Sequence, residues 1–206
     1  MSYPDELCRL VIGHMEIIEE APAVVEEAQN KLFVAINERI KRRVAARAGW
    51  KGCYELGITS GEQGTRFAPS AWPEDDAGAY LAYYYLDQAA DICDHWLSVA
   101  LGLRGDALCL HFHVERALSN LVAKEHKKLF LDFYSATPSL AESGFQIDKN
   151  GEIFLPFILN ASKVAEEYPD FDEALEPLDA ALETLFKAHG AFAGFMNAFL
   201  KHKGTS

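Results

Sequence analysis

The chain has 206 residues, of which 50% are hydrophobic, and a formal net charge of −12. This length and composition suit a single domain with a sizeable core. No run of 18 or more uncharged apolar residues occurs and no basic, then apolar, start marks an export signal, so we expect a soluble cytoplasmic protein without a membrane span.

The four cysteines are widely spaced and form no CxxC pair. A zinc knuckle or a dithiol redox motif needs such pairs, and a disulfide framework is typical of exported proteins. We therefore expect free thiols and no cofactor.

The first 48 residues predict a helical hairpin. Helical spacing of apolar residues predicts one helix over 4–20, which Ala21-Pro22 interrupts, and a second helix over 22–48 that ends before Gly49. The first apolar stripe contains Leu7, Leu10, Val11, His14, Met15 and Ile18. The second contains Phe33, Ile36, Ile40 and Val44.

The second helix carries most of a basic window over 31–51, which has seven Lys or Arg residues and one acid. The remainder of the chain then has a net charge of −18. On a helical wheel most of these cations lie away from the apolar stripe, which predicts a solvated face. The alternative is that this helix binds nucleic acid, and the contacts would then come from Arg39, Arg42, Arg43 and Arg47.

The central region has the period-two pattern of strands. Segments 51–59 and 65–69 predict one hairpin, and segments 96–103 and 107–115 predict a second. Segment 79–95 fits either a strand or a helix. Asn150-Gly151 is a strong turn signal between segments 145–147 and 152–159, and Pro156 predicts that the last strand is short or lies at an edge.

Helices are predicted over 115–136 and over most of the last third of the chain. The fold class is therefore α+β, a mostly antiparallel sheet of hairpins that long N-terminal and C-terminal helices bracket. We divide this single domain into a helical hairpin over 1–48, a sheet region with one helix over 50–160, and C-terminal helices over 161–203. In the last of these, Gly190 and Gly194 could let another helix approach, either within the chain or from a second copy in a homodimer.

One strand pattern could supply metal ligands. Alternation places His111, His113 and Glu115 on the same face of segment 107–115, and two histidines with a carboxylate can form part of a catalytic metal site. The alternative is a half-buried strand whose apolar residues Leu108, Leu110, Phe112 and Val114 point inward while its polar residues face solvent.

Two long acidic runs lack Lys and Arg altogether, and their solvated acids could bind a cationic partner. Within the first run we assign Glu74, Asp75, Asp76, Asp87, Asp91 and Asp94 to partner binding. Within the second, which has eight acids between Val164 and Phe186, we assign Glu166, Glu167 and Asp170. Opposite charge speeds the encounter of protein partners.

The order of elements resembles a known family. The chain has, in order, a long basic helix, Gly49-Trp50, a hairpin region with Tyr54, Phe67 and Trp72-Pro73, and a terminal helix. This layout is similar to the accessory C-terminal portion of phage- and restriction-associated proteins of the PD-(D/E)XK nuclease superfamily. The catalytic motif of that superfamily is not matched, because Glu125-His126-Lys127 lies in a predicted helix. The resemblance implies an inactive or partner-binding relative.

The sequence thus favours a non-enzymatic protein that binds and inhibits or neutralises a cationic protein, such as a toxin, a nuclease or a nucleic-acid-binding complex. Immunity proteins and anti-defence inhibitors are of this class. We assign no catalytic residue. The alternatives are a metal-dependent hydrolase centred on His111, His113 and Glu115, and a nucleic-acid contact through the basic helix, although direct nucleic-acid binding is not our expectation.

Overall fold

The computed structural model describes residues 4–54, 64–90, 93, 95–118 and 121–201. These residues form a six-stranded antiparallel sheet with helices at both ends of the chain, so the predicted α+β class is confirmed. The helices are α1 (Asp5–Gly13), α2 (Met15–Ala45), α3 (Trp96–Ala100), α4 (Ala123–Ala136), α5 (Pro138–Glu142), α6 (Ala161–Glu166) and α7 (Glu176–Lys201). The strands are β1 (Trp50–Cys53), β2 (Arg66–Pro69), β3 (Ala82–Gln88), β4 (Leu108–Val114), β5 (Gln146–Ile147) and β6 (Ile153–Phe157).

The sheet has the strand order β1-β2-β3-β4-β6-β5, and every pair of neighbours is antiparallel. The first four strands form a meander. After β4 the chain passes through α4 and α5, and β6 then lies between β4 and the edge strand β5. Pro156 therefore lies in an interior strand, but β5 pairs only with Ile153 and Phe154, so the proline falls beyond that short partner.

An aromatic cluster forms the centre of the core. Tyr84 of β3 is fully buried, and its ring lies 5.9 Å from Trp50, 5.2 Å from Trp72 and 5.6 Å from Phe192 of α7. Phe112 of β4 also packs on Phe192. The strand face with these rings thus joins the sheet to the C-terminal helix, which is the packing that the strand alternation predicts for β4.

Two predicted elements differ from the structure, and one open assignment is decided. Segment 79–95, which fits either a strand or a helix by its sequence, contains strand β3. Trp96–Ala100 is helical instead of the first strand of a hairpin. A 3-10 turn, Arg116–Leu118, precedes α4, which begins only at Ala123. The predicted Asn150-Gly151 hairpin and the pairing of segments 51–59 and 65–69 are present, although the turn of the latter lies outside the described residues.

The N-terminal helices break at His14 and not at Ala21-Pro22. His14 has φ −124° and ψ 25°, whereas Pro22 lies inside the continuous helix α2. Every residue from 4 to 20 is exposed, and the buried stripe of α2 begins at Leu32. Residues 5–28, which we call the arm, therefore do not fold back as a packed helical hairpin.

Candidate interaction surface

The basic stretch of α2 faces the acidic start of α7. Arg39 is only 15% exposed; its guanidinium donates to the Asp172 carboxylate at 2.7 Å and to the Asp179 carboxylate at 3.0 Å. The same guanidinium donates to the backbone carbonyl of Asp172. A charged group with so many hydrogen bonds is an internal tether between two helices.

Two further arginines extend this contact by one and two helical turns. Arg43 donates to Glu183 at 2.8 Å and lies 3.3 Å from Asp179. Arg47 donates to both carboxylate oxygens of Glu183 at 3.0 Å, and its guanidinium lies 4.0 Å from the centre of the Phe186 ring. The prediction of a solvated basic face is therefore wrong for these arginines.

The pairing changes how both charged segments are interpreted. Of the four arginines that the nucleic-acid hypothesis requires, Arg42 is exposed without an acidic partner among the described residues, and the other three are committed within the chain. Phosphate binding by counterion release needs free cations. The C-terminal acidic run is also largely compensated, because Lys163 in addition pairs with Glu173 and lies 4.0 Å from Glu176.

The first acidic run is divided among several roles. Glu74 forms an ion pair of 2.5 Å with Lys51, and Asp75 accepts hydrogen bonds from the backbone N–H groups of a turn. Asp87 lies in β3 and accepts from a backbone N–H. Asp76 is exposed. Two further acids assigned to this surface, Asp91 and Asp94, lie outside the described residues.

Part of the second run does form an exposed acidic loop. Glu166 and Asp170 are exposed, and no ion pair involves them among the described residues. Glu167 is half-buried, and its carboxylate accepts from the backbone N–H of Ala174. Between them, Tyr168 lies beneath the ammonium group of Lys31, 4.9 Å from its ring centre. This contact holds the acidic loop against the base of the arm.

The histidines of β4 lie on the sheet face opposite the aromatic core. His111 is 5% exposed, between the rings of Tyr85 at 4.9 Å and Phe154 at 5.3 Å. Burial lowers the pKa of His111 to about 4. The prediction that the polar residues of this strand face solvent is therefore wrong for His111, whereas the apolar residues do point inward.

The geometry around His111 and His113 does not favour a metal site. His113 Nε2 lies 3.3 Å from a Glu115 carboxylate oxygen, and burial lowers the pKa of His113. Within the described ranges, no group of three or more His, Cys, Asp or Glu side chains could hold a metal ion. His113 and Glu115 thus form a polar pair, while His111 lies among aromatic rings.

The arm is an exposed acidic surface. It has seven acids and one base, a net charge of −6. Glu16, Glu19, Glu20 and Glu26 are exposed, and none has a basic partner among the described residues. The same helix has exposed apolar side chains, such as Ile17 at 65% and Val24 at 61%. Sequence reasoning missed this surface, because the amphipathic stripe predicted a core-packed helix.

Comparison with protein-family models, with curated proteins and with solved structures finds no significant match. The resemblance to PD-(D/E)XK-associated proteins therefore stays a prediction, and Glu125 lies in helix α4 as expected. No helix in the described part of the chain has both the length and the apolar character that crossing a bilayer requires.

Proposed function

We propose that this protein is a non-enzymatic interaction protein, which binds a cationic protein partner through an acidic surface and neutralises it. The observation that carries the proposal is the exposed, unpaired acid array of the arm and the adjoining loop. Its members in the described part of the chain are Glu16, Glu19, Glu20, Glu26, Glu166 and Asp170.

The arm and the loop belong to one surface because Tyr168 joins them. Lys31 forms a 2.8 Å ion pair with Glu27 one turn below and lies over the Tyr168 ring. Glu166 and Asp170 are each two residues from that tyrosine, so they flank the end of the arm. A partner that contacts the acids of α2 can therefore also reach the loop.

The internal ion pairs support the same proposal. Arg39, Arg43, Arg47 and Lys163 pair with acids near the start of α7, whereas in the described part of the arm only Glu27 has a basic partner, Lys31. The excess negative charge of the protein is thus concentrated where it is accessible. Such a field raises the rate of association with a basic protein, and it weakens as salt increases.

Neutralisation follows from occupying a basic surface. A toxin, a nuclease or a nucleic-acid-binding complex contacts phosphates through Lys and Arg, and those side chains are unavailable to nucleic acid while an acidic protein covers them. Charge complementarity also disfavours acidic proteins as partners, because like charges oppose each other across an interface.

The proposal is tested by affinity capture from host extract with three double variants of equal charge change. Glu19→Gln with Glu20→Gln alters the arm, Glu166→Gln with Asp170→Asn alters the loop, and Asp132→Asn with Glu142→Gln alters exposed acids elsewhere. We expect a basic protein that elutes with salt, and its recovery should fall for the first two variants but not for the third. Equal recovery with all three would reject the assigned surface.

A further inference from the structure

A small cavity lies where α3 meets the 3-10 turn Leu103–Gly105. It has a volume of about 160 Å³, and its walls are formed by Cys93, His95, Ser98, Leu103 and Arg104. A volume of this size corresponds to about five water molecules in the liquid, whereas pockets for drug-sized ligands begin at about 300 Å³. The cavity therefore suits a ligand of a few heavy atoms.

Contacts within the chain hold the walls of this cavity in place. The Cys93 thiol donates to the backbone carbonyl of Leu103 at 3.3 Å and so joins the segment before α3 to the turn after it. Gly102 packs closely on Ile158, because a Cβ atom at this glycine would lie 2.8 Å from that side chain. Walls that are already ordered lower the entropy that binding a ligand costs.

Arg104 has an unusual backbone conformation for a residue of its size. Its φ is 56°, in the left-handed region that glycine adopts without strain, and its neighbours Gly102 and Gly105 also have positive φ. Phe171 is the other described non-glycine residue with positive φ, but its buried ring is part of the core. The Arg104 side chain is exposed, so core packing does not explain its strain. A strained residue in the wall of a cavity indicates a role for its side chain in binding.

The chemistry of the lining favours an anion. Within the described part of the chain, the Arg104 guanidinium and the side chains of Ser98 and His95 have no hydrogen-bond partner. No acid lines the cavity, and the nearby Asp106 is fully buried and accepts from two backbone N–H groups. A guanidinium binds oxyanions through charge-assisted hydrogen bonds. The donors around the cavity therefore fit an oxyanion and not a cation.

We infer that this cavity binds a small oxyanion, namely the phosphate group of a free or an esterified phosphate. The Arg104 guanidinium supplies the charge, and Ser98 and His95 supply further hydrogen bonds. The net charge of −12 opposes the approach of an anion, but physiological salt screens charges beyond about 8 Å, so the guanidinium dominates at contact. The inference does not rest on the proposed function, because the acids of the arm and the loop take no part in it.

The test is an NMR titration of the full chain with sodium phosphate at neutral pH, in which sodium chloride keeps the ionic strength constant. For the wild type we expect saturable shifts of the amide signals of Ser98, Gly102 and Gly105, with a dissociation constant on the order of 1 mM. Arg104→Gln should weaken binding about tenfold or more. Arg42→Gln makes the same change at an exposed arginine of α2 and should leave the dissociation constant unchanged.

A glycine variant separates lost binding from lost folding. Glycine adopts the φ of Arg104 without strain, so Arg104→Gly should melt at the wild-type temperature or above it when phosphate is absent. The same variant should lose the saturable shifts, because the guanidinium is gone. A folded Arg104→Gly protein that binds phosphate as the wild type does would overturn the inference.

Two further results would also overturn it: wild-type shifts that do not saturate, or equal weakening by Arg42→Gln and Arg104→Gln, which would show a diffuse attraction to surface cations. Glycerol phosphate identifies the source of the anion. Binding at least as tight as that of inorganic phosphate supports an esterified phosphate, and weaker binding supports the free ion. Capture of a basic protein through the arm would be unaffected by a negative titration, so the two proposals fail independently.

Discussion

Arg39 and Asp179 connect the two longest helices of the protein, with 3.0 Å between guanidinium and carboxylate. Both side chains are largely buried, at 15% and 26% exposure, and Arg39 also binds Asp172. The basic window of the sequence therefore has a structural explanation within the chain. The acids that remain for a partner are those of the arm and its adjoining loop.

We predict that replacing Arg39 by Met lowers the free energy of unfolding by about 1–2 kcal/mol, because its charge-assisted hydrogen bonds are lost and the Asp179 carboxylate, only 26% exposed, stays partly buried without them. Arg42→Met on the same helix should change it by less than about 0.5 kcal/mol, since exposed positions without partners contribute little. Urea denaturation measures both. Equal effects of the two substitutions would show that the ion pairs of Arg39 do not add to the free energy of unfolding.

Burial of His111 predicts a pH-dependent stability. Its folded pKa of about 4 lies below the ordinary histidine pKa of 6.5, so between these pH values the unfolded chain binds a proton that the folded chain does not. The stability that neutral His111 contributes is complete above pH 6.5 and decreases as the pH falls toward 4, by about 1.4 kcal/mol per pH unit.

His111→Phe should reduce this slope, because the ring between Tyr85 and Phe154 is kept while the titrating group is removed. The slope is obtained from urea denaturation at several pH values, and NMR titration of the imidazole gives the pKa directly. A His111 pKa near 6.5, or an unchanged slope in the variant, would contradict the buried neutral histidine. His113 should contribute a slope of the same sign that remains in the variant, because burial lowers its pKa too.

Zinc should not stabilise this protein. A ligand that binds only the folded state raises the melting temperature once its concentration exceeds its dissociation constant. We expect no such binding of zinc, because His111 is enclosed by aromatic rings. We expect a shift below about 1 °C in saturating Zn²⁺ for protein purified without a histidine tag. A saturable rise that disappears in both His111→Ala and His113→Ala would instead favour the metal-dependent hydrolase.

Local patterns in the sequence predicted much of the sheet. Alternation placed Leu110 and Phe112 on the core side of β4, and Asn150-Gly151 marked the last hairpin, because both signals act over a few neighbouring residues. Trp96–Ala100 was misassigned for the same reason. Its apolar residues fit a buried strand or a short helix equally well, and its packing against Phe33 of α2 decides the outcome.

The candidate site depended on distant contacts that spacing alone does not reveal. Arg39 and Asp179 are 140 residues apart in the chain, so no local pattern indicates that their charges compensate each other. The apolar stripe of the arm also looked like that of a core helix. Whether such a stripe packs against the rest of the domain or stays exposed depends on where the helix is placed relative to the sheet.

The central claim is that the arm and loop acids bind a cationic protein, and the most direct test is the affinity of the captured partner at a series of salt concentrations. We predict that the dissociation constant rises about 3- to 10-fold for Glu19→Gln with Glu20→Gln, with a weaker salt dependence than that of the wild type. The Asp132→Asn, Glu142→Gln control should match the wild type. An affinity that neither salt nor the arm substitutions alter would contradict the claim.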